Sequence, residues 1–477
     1  MKLFISRLLL LILLIAGYSC TKISDNSAQR EQVFYKYVGI YSDRANNNYK
    51  VIVKEQDGKL YIKDWRVKDE ITIENDIDFR LKNFPIEGHF NNLEHRRYQD
   101  LSFEENGTTV RLSRSEIPLI KYEDAIYESI DNLIKIDENK TEAESPIEIK
   151  MGTVSEVNGD AESINDLIEK FKNGYFGKQN SLLIMKDGKL VVEQYFRGWS
   201  REENQSMYSV SKSFTSLLLG DALAKGFIDS VNDPISKYLP EYTSILAGEK
   251  EKITIKDLLT MSAGLDWDEW STSCYDSNNI RNRETSSVDS VEFTLSLPLV
   301  NEIGEVFTYS SGYVTVIGEI IKNATGAASL ADFAGQSSLL KLCLKNAYWF
   351  EQVDGRQDAG AGLKLRPLDM AKIGQIVLDK GIWNDQRIID EAWIRESTTT
   401  HILTNSNIWG EYGYYWWSKY YNVNGKKYRA VAACGGGGQH IIIIEDLNLV
   451  VVTTAENFGR RKYDDAIMSK FIIPAFQ

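Results

Sequence analysis

Residues 208–216 read Tyr208-Ser209-Val210-Ser211-Lys212-Ser213-Phe214-Thr215-Ser216, and the apolar residues Phe214, Leu217, Leu218 and Ala222 then recur at helical spacing until Gly226. That period predicts a helix opening at about Ser209 and closing before Gly226. On such a helix positions i and i+3 share a face, so Lys212 comes within reach of the Ser209 hydroxyl. A serine hydroxyl is a poor nucleophile until a base takes its proton. A lysine serves as that base only when neutral, which requires burial or neighbouring positive charge. A serine at a helix start also has backbone N–H groups and the positive end of the helix dipole beside it, where an oxyanion would develop. Ser338-Leu339-Leu340-Lys341 repeats the Ser-x-x-Lys spacing. It is expected to be structural, because it sits inside the middle region and opens no long amphipathic helix.

Around this segment the chain changes character twice. Before it, SLLIMKDGKLVVEQYF (181–196) reads as two strands about an Asp187-Gly188 turn, a strong hairpin signal. After it, further helices are expected at 255–262, 314–324, 367–380 and 390–397. Strand returns with the isoleucine run 441–444 and with 449–454, joined by the polar turn 445–448. Strands, a helical middle and strands again imply one antiparallel sheet assembled from both ends of the region. Helices would flank it, and a helical subdomain would be inserted, an α+β arrangement.

YSVSKSFTSLLLG (208–220) resembles the active-site helix of the β-lactamase-related serine hydrolases. Class C β-lactamases, D-alanyl-D-alanine carboxypeptidases, bacterial esterases and 6-aminohexanoate-dimer hydrolases belong to that superfamily. The resemblance continues in order through 253–270, 306–321, 363–383, 412–421 and 433–455, and covers roughly residues 150–477. It implies a β-lactamase/penicillin-binding-protein-like fold and places a hydrolase domain at 148–477.

The family's second motif is Tyr-x-Asn, and here it reads Tyr309-Ser310-Ser311. The resemblance makes Tyr309 the proton shuttle to the leaving group. A phenol near a lysine ammonium is expected to be partly ionised. Tyr275-Asp276-Ser277 also fits the loose pattern, and only the family register favours Tyr309. Ser311 replaces the usual Asn, which weakens the case for recognising a β-lactam side chain. In the third motif Gly435–Gly438 precede Gln439, and the favoured register sets Gly436 where relatives carry Lys, His or Trp. Glycines on a strand let a substrate carbonyl approach the backbone, so Gly436, Gly437 and Gly438 are candidate substrate residues. A second oxyanion N–H is expected from about Gln439. The missing cation points away from anionic β-lactams and toward a less charged ester or amide. Trp267, Trp270, Trp416 and Trp417 are expected in the core or at the rim, and Asp266, Asp268 and Glu269 on a solvated or capping face.

Upstream, short alternating segments recur within 37–115 (YVGIYS, YKVIVKE, KLYIKDW, ITIE, TTVRLS), separated by Asn, Asp and Gly clusters. They predict a small all-β module without a catalytic cluster, resembling a lipocalin-like accessory barrel. Residues 116–147 read as an acidic linker. Residues 1–20 carry Lys2 and Arg7, an apolar run over 8–16, and Cys20, a secretory signal with Cys20 placed as a bacterial lipoprotein cysteine. Gly17 stands where Leu is usual. Export to the cell envelope with a lipid tether is therefore expected.

The 477 residues carry a net charge of -13, and this argues against a nucleic-acid partner. Cys274, Cys343 and Cys434 and the four histidines show no ligand spacing, so neither a metal nor another cofactor is expected. The sequence therefore predicts a serine hydrolase that works through an acyl-enzyme built on Ser209, Lys212 and Tyr309. The alternatives are a D-alanyl-D-alanine carboxypeptidase or weak β-lactamase, a non-catalytic envelope module, and a binding role carried by the N-terminal β module.

Overall fold

A computed structural model describes residues 39–42, 50–56, 59–63, 68–73, 78–81, 87–94, 97–105 and 108–114. It then describes 149–477 apart from 273–275, 277, 346, 405, 407–408 and 459–462. The expected signal with Cys20, the linker 116–147, Cys274 and Tyr275 lie outside the described residues. The chain divides into two units, Met1–Lys121 and Tyr122–Gln477.

In the first unit, eight antiparallel strands from Gly39–Ser42 to Thr108–Arg114 close into a barrel. The ring is completed by Tyr41 pairing with Arg114, and closure leaves no free strand edge. Val53, Leu60, Ile71, Phe79, Phe90 and Leu101 are buried, with Leu60 opposite Ile71 and Phe90 opposite Leu101 across the ladders. Three strands, Asp78–Leu81, Glu87–Glu94 and Arg97–Glu105, are absent from the sequence-based expectation. They are rich in charged and amide residues, so their alternation is faint.

The second unit is built on an eight-stranded antiparallel sheet. In chain order, the elements that form the sheet and frame the site begin with α1 (Ala161–Lys172), β1 (Gln179–Lys186), β2 (Lys189–Tyr195) and α2 (Val210–Ala224). Then come α3 (Ile280–Thr285), α4 (Ser311–Thr325), α5 (Pro367–Leu378) and α6 (Glu391–Thr398). The chain ends with β3 (Ile402–Leu403), β4 (Glu411–Tyr412), β5 (Trp417–Val423), β6 (Lys426–Gly435), β7 (Gln439–Ile444), β8 (Leu449–Ala455) and short terminal helical turns. The strand order is β2-β1-β8-β7-β6-β5-β4-β3. The last strand therefore pairs with the first, Val451 opposite Ile184, and the sheet is assembled from both ends of the region. The β1–β2 turn is tight because Asp187 and Gly188 both take positive φ, 52° and 72°.

Side chains of the central strands alternate between two cores. Leu183, Met185, Ile441, Ile443, Val450 and Val452 face the core shared with α2, α4 and α5. Leu182, Ile184, Ile442, Ile444, Leu449 and Val451 face the core shared with α1 and the terminal helices. α2 is buried from Val210 through Ala222, its polar residues Ser211, Lys212, Ser213, Thr215, Ser216 and Asp221 included. Truncating a fully buried leucine such as Leu218 would cost about 2–5 kcal/mol. α5 lies so close to the sheet that a Cβ on Gly374 would sit 2.3 Å from Val450 Cγ1.

Candidate active site

The chain enters α2 under tight control. Gln205–Ser206 pairs with Leu363–Leu365, and the Met207 N–H donates to Leu363 O at 2.9 Å. Tyr208 then takes φ 47°, a left-handed conformation that a bulky residue seldom adopts, with its ring edge-on to Phe458 at 5.3 Å. Ser209 follows as the N-cap of α2. The N–H groups of Val210, Ser211 and Lys212 donate to the carbonyls of Met207, Tyr208 and Ser209. The Ser209 N–H takes no part in these turns and stands at the positive end of the helix.

One turn on, Lys212 is buried at 1 % exposure. Its Nζ lies 3.1 Å from Ser209 Oγ, 3.0 Å from Ser311 Oγ and 2.9 Å from Gly360 O. Burial pushes the ammonium pKa down to about 8. Glu269, Asp358 and Glu284 pull it upward, and Arg281 assists the fall.

Tyr309 meets the same hydroxyl from the other side. Its phenol is hydrogen-bonded to Ser209, and its ring centroid is 4.9 Å from Lys212 Nζ. Burial, reinforced by Glu269, raises its pKa above the ordinary value, only partly opposed by the Ser209 hydrogen bond. Burial thus works against the expected partial ionisation of this phenol. Ser311 opens α4, whose N-cap Ser310 accepts from Tyr313 N at 3.2 Å.

The expected solvated face holds for Asp266 and Asp268, both exposed, with Asp268 accepting from Trp270 N and Ser271 N. It fails for Glu269, which turns inward. Glu269 Oε2 accepts from Ser311 N at 2.9 Å and from Trp267 Nε1 at 2.9 Å, while Oε1 accepts from Ser311 Oγ at 3.2 Å. Three acidic residues within four positions look alike in sequence, and only the turn at Asp268 separates their directions.

A backbone element completes the site. Residues 358–363 lie along α2: Ala359 O accepts from Thr215 Oγ1 at 3.0 Å, and Leu363 N donates to Ser211 Oγ at 3.2 Å. Asp358 accepts from Ala361 N at 2.9 Å and pairs with the Arg281 guanidinium, which also pairs with Glu284. Gly360 is closely flanked: a Cβ there would lie 3.3 Å from Ser311 O and 3.4 Å from Lys212 Nζ.

The beta-lactamase family profile matches residues 171–469 of the chain. This protein belongs to the beta-lactamase family. The 6-aminohexanoate-dimer hydrolase of Paenarthrobacter ureafaciens is 22 % identical over 267 residues, 50 % of this chain and 64 % of that protein. The chain thus spans less than two thirds of that relative. Among solved structures, the octameric penicillin-binding protein homologue from Pyrococcus abyssi shares 20 % identity at a TM-score of 0.52, over 66 % of this chain and 76 % of its own. A family VIII carboxylesterase shares 16 % identity at a TM-score of 0.51, over 65 % of this chain and 94 % of its own. These structures share the fold.

Within this beta-lactamase-family domain, β6 ends beside the nucleophile segment. A Cβ on Gly435 would sit 2.3 Å from Met207 O, whereas one on Gly436 would meet nothing closer than 3.7 Å, from Phe458 and Tyr208. Gly437 and Gly438 have φ of 79° and 107°, which favour glycine. Gly436 is therefore the one member of the run that could carry an ordinary side chain. The Gln439 side chain, as distinct from the backbone N–H expected to serve the oxyanion, is tied into the turn. Its carboxamide donates to Gly436 O at 3.0 Å and to Ala455 O at 2.6 Å, and accepts from Ala455 N at 3.2 Å. That side chain closes the glycine turn and is not free for a substrate.

The tryptophans also divide. Trp267 and Trp416 are buried. Trp417 stacks on Tyr309 at 5.6 Å, and Trp270 lies 5.7 Å from the same ring while 74 % exposed. Ser338 and Lys341 sit in a short 3-10 turn where Ser338 N donates to Asp221 and Lys341 is exposed. That second Ser-x-x-Lys has no buried base. Among the described residues no cluster of His, Cys, Asp and Glu could hold a metal ion, and no helix is long and apolar enough to cross a membrane.

Proposed function

We propose that this chain hydrolyses an ester or amide through an acyl-enzyme on Ser209. One observation carries the reading: a buried lysine with a pKa near 8 touches a helix-capping serine whose hydroxyl also meets a buried, protonated tyrosine. Ser209 Oγ attacks the carbonyl carbon while its proton passes to Lys212. The N–H of Ser209 and an N–H of the glycine turn beside Met207 and Tyr208 hold the oxyanion, at about 3 kcal/mol per donor. Tyr309 gives its proton to the departing oxygen or nitrogen as that bond breaks. Lys212 resupplies the proton, and water then releases the acid. Each proton-transfer partner contributes about 10²–10⁴-fold.

The names of the relatives point to a 6-aminohexanoate dimer, to carboxylic esters and to penicillin binding. Of these, an ester or amide without an obligatory carboxylate suits the site best, because position 436 is itself a glycine and brings no cation. A panel of p-nitrophenyl esters, p-nitroanilides, a fluorescent penicillin and a D-alanyl-D-alanine peptide tests this. Turnover of esters or anilides with little penicillin labelling supports the proposal. Release of D-alanine as the fastest reaction would replace it with the carboxypeptidase alternative. We further propose that the protein is exported and lipidated on Cys20, which detergent partitioning of wild type against Cys20→Ala would test.

A further inference from the structure

Resting on the reading of Lys212 as base, we propose that Glu269 is a positioning residue that aims the lone pair of Lys212 at Ser209 by fixing the direction of the Ser311 hydroxyl. The argument is one of donors and acceptors. A lysine ammonium has three N–H donors, and Lys212 has three oxygen partners: Ser209 Oγ, Ser311 Oγ and Gly360 O. On losing a proton the amine keeps two donors and gains one lone pair, so one contact must invert. Gly360 O is a carbonyl and can only accept. A hydroxyl can give or receive, so Ser209 and Ser311 would compete for the lone pair unless something settles which gives its proton.

Glu269 settles it. Its carboxylate can only accept, and it holds Ser311 at two points, the backbone N–H at 2.9 Å and Oγ at 3.2 Å. With its proton committed to Glu269, Ser311 Oγ receives from Lys212. Trp267 Nε1 anchors the carboxylate at 2.9 Å, and Asn279 Nδ2 ties the Glu269 carbonyl at 3.2 Å. Ser209 is then the only partner left to give the neutral amine a proton. The same carboxylate raises the pKa of Lys212, as Asp358 and Glu284 do, against the burial and Arg281 that lower it. Removing the negative charge therefore has two separable effects. More lysine is neutral at a given pH, yet the lone pair of the neutral lysine is no longer directed.

The test measures the second-order rate of labelling by a fluorophosphonate from pH 5.5 to 10 on the full chain. The proteins are wild type, Glu269→Gln, Ser311→Ala, the double variant, Ser209→Ala and Lys212→Met. Glu269→Gln should lower the alkaline plateau at least tenfold while its midpoint moves to lower pH. Ser311→Ala should lower the plateau similarly, and the double variant should fall no further than the worse single one, because both act through one hydroxyl. A plateau within twofold of wild type in Glu269→Gln, or additive losses in the double variant, would overturn the inference. Should Glu269→Gln fail to fold by circular dichroism, an undiminished plateau in Ser311→Ala overturns it alone. If Lys212→Met labels like wild type, the underlying reading of the base fails. If Lys212→Met is inert while Glu269→Gln and Ser311→Ala are unchanged, only the present inference fails.

Discussion

The protonation of Lys212 makes a quantitative prediction about pH. With a pKa near 8, about 1 % of the lysine is neutral at pH 6, about 10 % at pH 7 and about 90 % at pH 9. If the neutral amine takes the Ser209 proton, acylation should rise about tenfold per pH unit below the midpoint. It should then flatten, a span of roughly 90-fold between pH 6 and pH 9. An exposed lysine would place the midpoint near 10.4, and a histidine base near 6.5, so the three cases are well separated. Stopped-flow acylation by a p-nitrophenyl ester, read as the burst rate at saturating substrate, reports the ionisation in the bound complex. A flat profile over pH 6–9, or a midpoint below 7 or above 9.5, would refute the argument that burial sets the base. Tyr309 adds no opposing limb in this range, since burial raises its pKa beyond it.

The remaining expectations concern stability and shape. Lys212 has a lower pKa folded than unfolded, so the unfolded chain holds more protons between about pH 8 and 10.4 and stability rises with pH across that window. Lys212→Met should then relieve a penalty on the order of 3 kcal/mol at pH 7, less the cost of the carbonyl it strands. Its melting temperature should exceed wild type at pH 7, with the gap narrowing toward pH 10.5. Gly435→Ala places a Cβ against Met207 O at 2.3 Å, so it should displace the nucleophile segment and cut the acylation rate at least tenfold, whereas Gly436→Ala should cost less than threefold. Trp270→Ala removes an exposed ring beside Tyr309. It should raise KM for aryl esters about three- to tenfold while thermal unfolding changes little, as expected of a surface substitution.

Local signals carried the fold. The Asp187-Gly188 hairpin, the period after Ser209 and the apolar runs at 441–444 and 449–454 are short-range patterns that survive in the tertiary structure. The barrel strands 78–81, 87–94 and 97–105 escaped because their residues are polar, and their pairing is decided by neighbouring strands rather than by their own alternation. In the site, Ser209, Lys212, Tyr309 and Ser311 were legible from motif and order, and the structure brings all four together. Glu269 was not, since one acidic residue among three reveals its direction only once the chain turns at Asp268. Gly360 could not be found either, because it contributes a backbone carbonyl that every residue possesses. The role of the Gln439 carboxamide was hidden for a related reason: it finds partners within its own turn, at Ala455 and Gly436, that spacing does not disclose.

The central claim is that Ser209 is the nucleophile and that Lys212 activates it. Intact mass and peptide mapping after fluorophosphonate treatment test it most directly, with wild type, Ser209→Ala and Lys212→Met compared at pH 8. The account predicts one adduct, located on Ser209, absent from Ser209→Ala and formed at least a hundredfold more slowly in Lys212→Met. An adduct on another residue, or equal labelling of the Ser209→Ala protein, would contradict it.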